Sequence, residues 1–275
     1  MKHLAIGPGA MAYFGFLGAL AALRDSDQLQ NLEEISGASA GGLLAFFYII
    51  ANGNIKAILD YSLEIPIKDA MKLNIRLFLK DFGFVSHKQI KLIISNLIRV
   101  YFSQEDLTFE ELRKFRPDMP ELYISAYCVN LSKTEYFSSK TSPTMSITDA
   151  LCMTVSVPFL FASVLWNDNR YIDGGTLEEI PAAVFVGKDD VAALRYKWTP
   201  TYNVSNLKEY LSCIIYASIR LRHKYNFQTY SIDFESFQIF DFGMSNELKL
   251  KMFSHGYNST KFQENVNVKF LCDQI

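Results

Sequence analysis

The sequence predicts an α/β fold, a three-layer α/β/α sandwich around a mostly parallel central sheet. Three observations carry this reading. Twice within the first fifty residues a short strand candidate ends in a glycine turn and passes directly into a helical run. Strand and helix patterns then alternate through the first two thirds of the chain, the order that builds a parallel sheet with helices on both faces. Hydrophobic residues make up 49% and charged residues 20%, which is enough apolar material for a sizeable core. All 275 residues are assigned to one domain, because no repeat, low-complexity tract or Pro/Gly/Ser-rich linker divides them.

The first element needs a decision. Residues 4–23 carry no charge and match the roughly 20 residues of a membrane-spanning helix, so a signal anchor is one reading. Gly7-Pro8-Gly9 interrupts the stretch near its start, and the preferred reading is strand, glycine loop, helix. Residues 32–35 follow as a strand ending at Ser36-Gly37, and residues 40–50 as a buried helix stopped by Asn52-Gly53. Ser86 with Gln89 predicts a capping box before the periodic run Ile90, Ile93, Ile94, Leu97, Ile98 and Tyr101. Thr108 with Glu111 predicts a second, before a shorter helix ending near Phe115.

Strands are expected over 122–129 and 135–138, joined by the turn Asn130-Leu131-Ser132. A helix over 147–154 and strands over 170–172 and 191–196 come next. The remainder reads as a helix over about 207–223, a Phe/Ile-rich stretch over 232–242 and a final helix after Ser245.

Charge narrows the function classes. Lys+Arg 27 against Asp+Glu 29 gives a net charge of -2, so nucleic acid is not an expected partner. Cys128, Cys152, Cys213 and Cys272 are far apart and none has a metal-binding spacing, which fits a reduced compartment without a metal site.

Gly37-Ala38-Ser39-Ala40-Gly41 is a G-x-S-x-G pattern at a strand-to-helix turn. Glycine is expected on both sides because a Cβ would collide there, and the hydroxyl is forced outward above the helix N-terminus. The unpaired N–H of Ala40 would face an oxygen that gains negative charge. The bland alternative is a tight turn with an N-cap serine. None of His3, His87, His223 or His255 has a recognisable catalytic setting. Asp173-Gly174-Gly175, at the end of a strand, is the better candidate for a base, since a carboxylate within reach can take the serine proton itself. An ordinary turn aspartate is the competing reading. Gly7-Pro8-Gly9-Ala10 supplies a loop whose backbone N–H groups can be aimed at an oxyanion, and neither a P-loop nor a dinucleotide fingerprint fits it.

The order of glycine loop, G-A-S-A-G-G elbow and D-G-G resembles the patatin-like phospholipase family. The stretch from Ser156-Val157-Pro158-Phe159-Leu160-Phe161 through Arg170-Tyr171-Ile172-Asp173-Gly174-Gly175 to Ile180-Pro181 looks like the family's segment around its aspartate. The resemblance covers roughly residues 1–195 and leaves 196–275 unmatched as an extension of the same domain. It implies a patatin-like sandwich and a Ser-Asp dyad in which Ser39 is the nucleophile and Asp173 the base. The implied reaction is cleavage of phospholipid or glycerolipid esters through an acyl-serine, with no cofactor. The oxyanion hole would draw on Gly7, Gly9, Ala10 and Ala40. Two departures stand out: Pro8 replaces the family's middle glycine and has no N–H, and Glu179 stands where the family often has Asn.

Lipid is thus the expected partner. Phe14, Phe16, Phe159, Leu160, Phe161 and Trp166 are candidates for an acyl groove and equally for the core. Lys68, Lys72, Arg76 and Lys80 recur at i, i+4 among apolar residues, either as a basic amphipathic element meeting anionic head groups or as the solvated face of a packed helix. The expected location is cytoplasmic, with peripheral membrane contact. A catalytically silent lipid-binding protein and a thioesterase or small-ester esterase remain alternatives.

Overall fold

The computed structural model describes residues 1–197, the single positions 204, 210 and 213, and residues 227–234 and 238–272, with 264–272 described by backbone alone. Its central sheet starts where the sequence does. Strand β1 (His3–Ile6) is buried throughout and is stopped by the glycine loop. Helix α1 (Tyr13–Asp25) follows, with every residue from 13 to 23 buried. Strand β2 (Glu34–Gly37) lies parallel to β1 with Ile6 opposite Gly37, and helix α2 (Ala40–Ile50) leaves its end after a single turn. Both strands are apolar or buried at successive positions rather than alternating, as expected of parallel strands covered on both faces.

Helix α3 (Ile55–Glu64), capped by Asn54, leads to a short helix α4 (Ile75–Asp81) and strand β3 (Gly83–Val85). Helices α5 (Lys88–Phe102) and α6 (Phe109–Phe115) precede strands β4 (Glu121–Cys128) and β5 (Lys133–Phe137), which form an antiparallel hairpin. Then come helix α7 (Ile147–Thr154) and strands β6 (Phe159–Phe161), β7 (Val164–Trp166) and β8 (Asn169–Asp173). Strands β9 (Val191–Lys197) and β10 (Gln228–Asp233) and helix α8 (Asn246–Cys272) complete the described elements.

The main sheet runs β10-β9-β1-β2-β4-β8-β7, with β5 paired to β4. The five strands from β10 to β4 are parallel; β8, β7 and β5 add antiparallel partners at one side. Strand β1 has β2 on one side and β9 on the other, so the glycine loop leaves the sheet where successive connections diverge. Such a switch point opens a crevice at the carboxyl ends of the strands.

The uncharged stretch 4–23 is therefore strand, loop and the buried helix α1, which crosses α8 so closely that a Cβ on Gly18 would lie 1.9 Å from the Phe253 carbonyl oxygen. No helix among the described residues is long and apolar enough to cross a membrane. The Thr108–Glu111 capping box forms in both directions. The Ser86–Gln89 box does not: His87 takes the N-cap position of α5 with no side-chain cap, because pairing of β3 with β6 holds the chain up to Val85 and the His87 ring is bound to Ser156. The i, i+4 basic stripe is not one helix either. Lys68 sits in a short 3-10 turn (Ile67–Ala70), Lys72 in the following break, and Arg76 and Lys80 on α4. The helix expected over about 207–223 falls mainly outside the described residues.

Candidate active site

Ser39 stands between the end of β2 and the start of α2 with φ 55° and ψ -125°, a backbone conformation disfavoured for any residue with a Cβ. Its neighbours explain how the turn closes. A Cβ on Gly37 would lie 2.4 Å from the Gly41 carbonyl oxygen, and one on Gly41 would lie 2.2 Å from the Ile6 carbonyl oxygen. Both positions admit glycine alone.

Asp173 ends β8. Its position follows from sheet register: Gly37 lies opposite Ile124 on β4 and Asp173 opposite Ala126, so β4 brings the ends of β2 and β8 together. The C-terminal end of α7 holds both side chains' backbones. The Ser39 N–H donates to Thr154 Oγ1 at 2.8 Å, and the Asp173 N–H donates to the Ser156 carbonyl at 3.0 Å. Thr154 is fully buried, and sequence reasoning placed it only as the last residue of a helix. No residue pattern marks a threonine that accepts from a backbone N–H more than a hundred positions away.

The two candidate catalytic groups meet in a nearly dry site, Ser39 being 6% and Asp173 2% exposed. Burial pushes the Asp173 carboxyl up to about 7, against the opposing pull of the Ser39 hydroxyl and the Gly175 N–H, which donates to Oδ1 at 2.7 Å. Oδ2 is buried without a hydrogen bond of full geometry, so the serine hydroxyl acts on the carboxyl without being locked to it. Bonds of this kind commonly tighten only when substrate arrives.

No histidine takes this place among the described residues. His3 pairs with Glu34, and His255 Nε2 donates to the Asp233 carbonyl. His87 Nε2 lies 3.0 Å from Ser156 Oγ, and burial lowers its pKa to about 4. His223 lies outside the described residues.

Of the four amides expected in the oxyanion hole, the structure removes one. The Gly7 N–H donates to the Leu194 carbonyl at 2.9 Å, extending the pairing of β1 with β9, and is not free for a ligand. The N–H groups of Gly9, Ala10 and Ala40 have no hydrogen-bond partner among the described residues. Ala10, Ser39 and Ala40 all line one apolar cavity of about 150 Å³. Ala10 itself has φ 47°, so the loop is held in a left-handed turn that aims its amides.

The cavity is walled by α1, α3, α5 and the residues around β6. Of the residues that could serve groove or core, Phe14, Leu160 and Phe161 line it. Phe16 packs instead against Phe234, Trp166 against Phe137 and Tyr171, and Phe159 is turned outward with 43% exposure. Besides Ser39, the polar side chains among the lining residues are Tyr13 and Ser62, hydrogen-bonded to each other at 2.8 Å.

Residues 4–186 match the family model described as patatin-like phospholipase. The chain belongs to the patatin-like phospholipase family. Among curated proteins it is similar to an uncharacterized protein of Acanthamoeba polyphaga mimivirus, 29% identical over 189 residues, covering 67% of this chain and 61% of that one. It is also similar to a probable lipid hydrolase of Invertebrate iridescent virus 6, 24% identical over 190 residues, covering 67% of this chain and 63% of the other. The aligned part thus spans less than two thirds of either relative.

Among solved structures, VipD from Legionella pneumophila superposes with a TM-score of 0.61 at 16% identity, over 94% of this chain and 66% of VipD. The ExoU–SpcU complex of the Pseudomonas aeruginosa type III secretion system gives 0.54 at 15% identity, over 98% of this chain and 52% of that one. At such identities the likeness is one of fold, and it is a patatin-like α/β fold with a mostly parallel sheet.

Within this patatin-like chain the proline in the glycine loop has a structural counterpart. A Cβ on Gly175 would lie 2.4 Å from the Pro8 Cβ, so the second glycine of D-G-G is the space into which the proline ring packs. Gly174 plays the matching part on the other side, where a Cβ would meet the Ser125 carbonyl at 2.5 Å.

Proposed function

We propose that this patatin-like protein is a lipid acyl hydrolase that cleaves phospholipid or glycerolipid esters with Ser39 as nucleophile and Asp173 as base. The observation that carries the reading is the pairing of a strained serine with a buried carboxyl whose pKa of about 7 suits a base working near neutrality. As Ser39 Oγ bonds to the acyl carbon, its proton passes to Asp173 and the carbonyl oxygen becomes an oxyanion. The amides of Gly9, Ala10 and Ala40 are available to hold that charge. Collapse breaks the ester C–O bond, and the departing alcohol takes the proton back from Asp173. A water molecule then attacks the acyl-serine with Asp173 again as base.

The apolar cavity beside Ser39 suits an acyl chain, and its described lining residues offer a free carboxylate no counter-charge, which favours the ester over the fatty acid product. The loss of the Pro8 and Gly7 amides leaves three donors, a sufficient number for an oxyanion hole.

The test pairs labelling with turnover. A fluorophosphonate reagent should attach to Ser39 in the native protein and not to the Ser39→Ala variant, and ester hydrolysis should fall by about ten-thousand-fold or more in that variant. An unlabelled native serine would make this a silent lipid-binding protein, and retained turnover in Ser39→Ala would move the nucleophile elsewhere.

A further inference from the structure

One face beside the active-site cavity is built unlike the rest of the surface. Helix α4 has no buried residue, although its sequence is mostly apolar. Leu73, Ile75, Leu79 and Phe82 are 72%, 71%, 77% and 56% exposed, and next to them Phe159, opposite Gly83 of β3, and Leu165, opposite the Arg170 that lies over the Phe82 ring, are 43% and 60% exposed. Contiguous apolar exposure of this kind marks a surface meant to be covered.

The segment is well fastened. The Asn74 N–H donates to the Phe84 carbonyl at 2.7 Å, Asn74 caps α4 through Arg76 and Leu77, and Phe78 stacks on Phe84 at 4.4 Å. Strand β3 pairs with β6, and the Ser163 N–H donates to the Asp81 carbonyl at 2.8 Å. The apolar tips are thus presented by a braced projection.

Charge identifies what covers it. Lys72, Arg76 and Lys80 are exposed and make no ion pair among the described residues. Of the nearby acids, Asp81 is engaged by Arg170, which also lies over the Phe82 ring, and Asp69 is exposed on the preceding turn. Apolar tips interleaved with unpaired cations match an anionic lipid surface, where the tips enter the acyl boundary and the cations meet head groups. The projection is continuous with the cavity, since Met71 at its base and Leu160 and Phe161 on the paired β6 segment line the cavity wall.

We infer that the face carried by residues 71–82 docks this protein on bilayers containing anionic lipid, with the cavity mouth facing the membrane. This deepens the hydrolase reading by naming the surface from which the substrate would be drawn, and it rests on that reading only for the lipid's fate.

The experiment is co-sedimentation of the Ser39→Ala protein, which leaves lipid intact, with vesicles of phosphatidylcholine alone and of phosphatidylcholine mixed with phosphatidylglycerol. Binding should favour the mixed vesicles and weaken with salt. Ile75→Ser with Leu79→Ser should lower affinity at least about tenfold, and Arg76→Ala with Lys80→Ala should lower it about tenfold and flatten the salt dependence. Circular dichroism should be unchanged, all four side chains being exposed.

The same substitutions in the protein that retains Ser39 should leave hydrolysis of a soluble short-chain ester unaltered. Loss of vesicle binding with intact esterase activity therefore supports docking through this face. Vesicle binding in a protein that hydrolyses no ester would sink the hydrolase reading and leave docking in place. Docking is overturned by native-level vesicle binding after Ile75→Ser with Leu79→Ser, or by no vesicle binding together with a dimer that those substitutions dissolve, which would give the face to a second copy of the chain.

Discussion

Two buried carboxyls sit at the two ends of the sheet that carries Ser39, and they are held in opposite states. Glu34 opens β2 with its side chain 8% exposed. Burial pushes its pKa up, but Lys188 and Lys140 bind its two oxygens and outweigh that effect, bringing the group down to about 2. Tyr123 donates a further hydrogen bond at 3.2 Å. Asp173 closes β8 more deeply buried and, among the described residues, with no cation beside it, and the balance falls the other way, to about 7. Burial alone does not decide the charge of a carboxyl in this protein; the supply of counter-charge does. One group is a fixed anion that ties strand ends together, and the other can take and return a proton near neutrality.

The contrast breaks most sharply under substitution. Asp173→Asn should lower ester turnover by about ten-thousand-fold while raising stability above pH 7 by on the order of 1–3 kcal/mol. The sign follows from linkage: the folded state holds the Asp173 proton more tightly than the unfolded state, so this group costs stability as pH rises from about 4 to about 7. Glu34→Gln should do the reverse, leaving turnover within about twofold and costing about 1–3 kcal/mol, discounted because Lys140 is 58% and Lys188 34% exposed. Its folded pKa is depressed, so that stability is present above about pH 4.5 and is lost as pH falls toward about 2. Turnover and chemical denaturation of both variants at pH 8 check the pair. A Glu34→Gln variant as inactive as Asp173→Asn would erase the distinction.

The same difference predicts a pH profile. Only ionised Asp173 can accept the serine proton, so kcat/KM on a soluble ester should fall about tenfold per pH unit below about 7 and level off above it. A rate that stayed flat down to about pH 5 would mean that the base is a carboxyl of ordinary pKa, or another group entirely.

How much of this was legible in the sequence depends on the length scale of the cause. The strand-glycine-helix units, the α2 limits and the α7 limits follow from local periodicity and turn chemistry, and the structure has them at or within two residues of the expected positions. Gly37, Gly41 and Asp173 were legible as members of short motifs, although only the clash that excludes a Cβ at Gly37 is local: Gly41 is confined by the Ile6 carbonyl and Asp173 is placed by the β4 register. The engagement of the Gly7 amide was not, since it depends on β9 lying beside β1, a pairing between segments that no spacing encodes. The break in the Lys68-to-Lys80 stripe was not legible either. Its i, i+4 spacing is regular, but Asn74 caps a new helix and breaks the run, leaving a projection instead of a packed helix.

The smallest expected effect separates orientation from charge. Thr154 Oγ1 accepts the Ser39 N–H at 2.8 Å, and its methyl group packs where a Cβ on Gly42 would lie 3.0 Å away. Thr154→Val keeps the shape and removes the acceptor, so the Ser39 amide is left buried and unpaired in a backbone conformation already under strain. Because Thr154 is not itself a lining residue of the cavity and reaches it only through the Ser39 backbone, its loss should lower kcat by roughly tenfold with KM nearly unchanged, and Thr154→Ser should restore most of the rate. The profile against pH should keep its midpoint near 7, since the environment of Asp173 is untouched. A midpoint that moved with Thr154→Val would mean that the α7 terminus controls the base as well as the nucleophile, through the Ser156 carbonyl that anchors the Asp173 backbone.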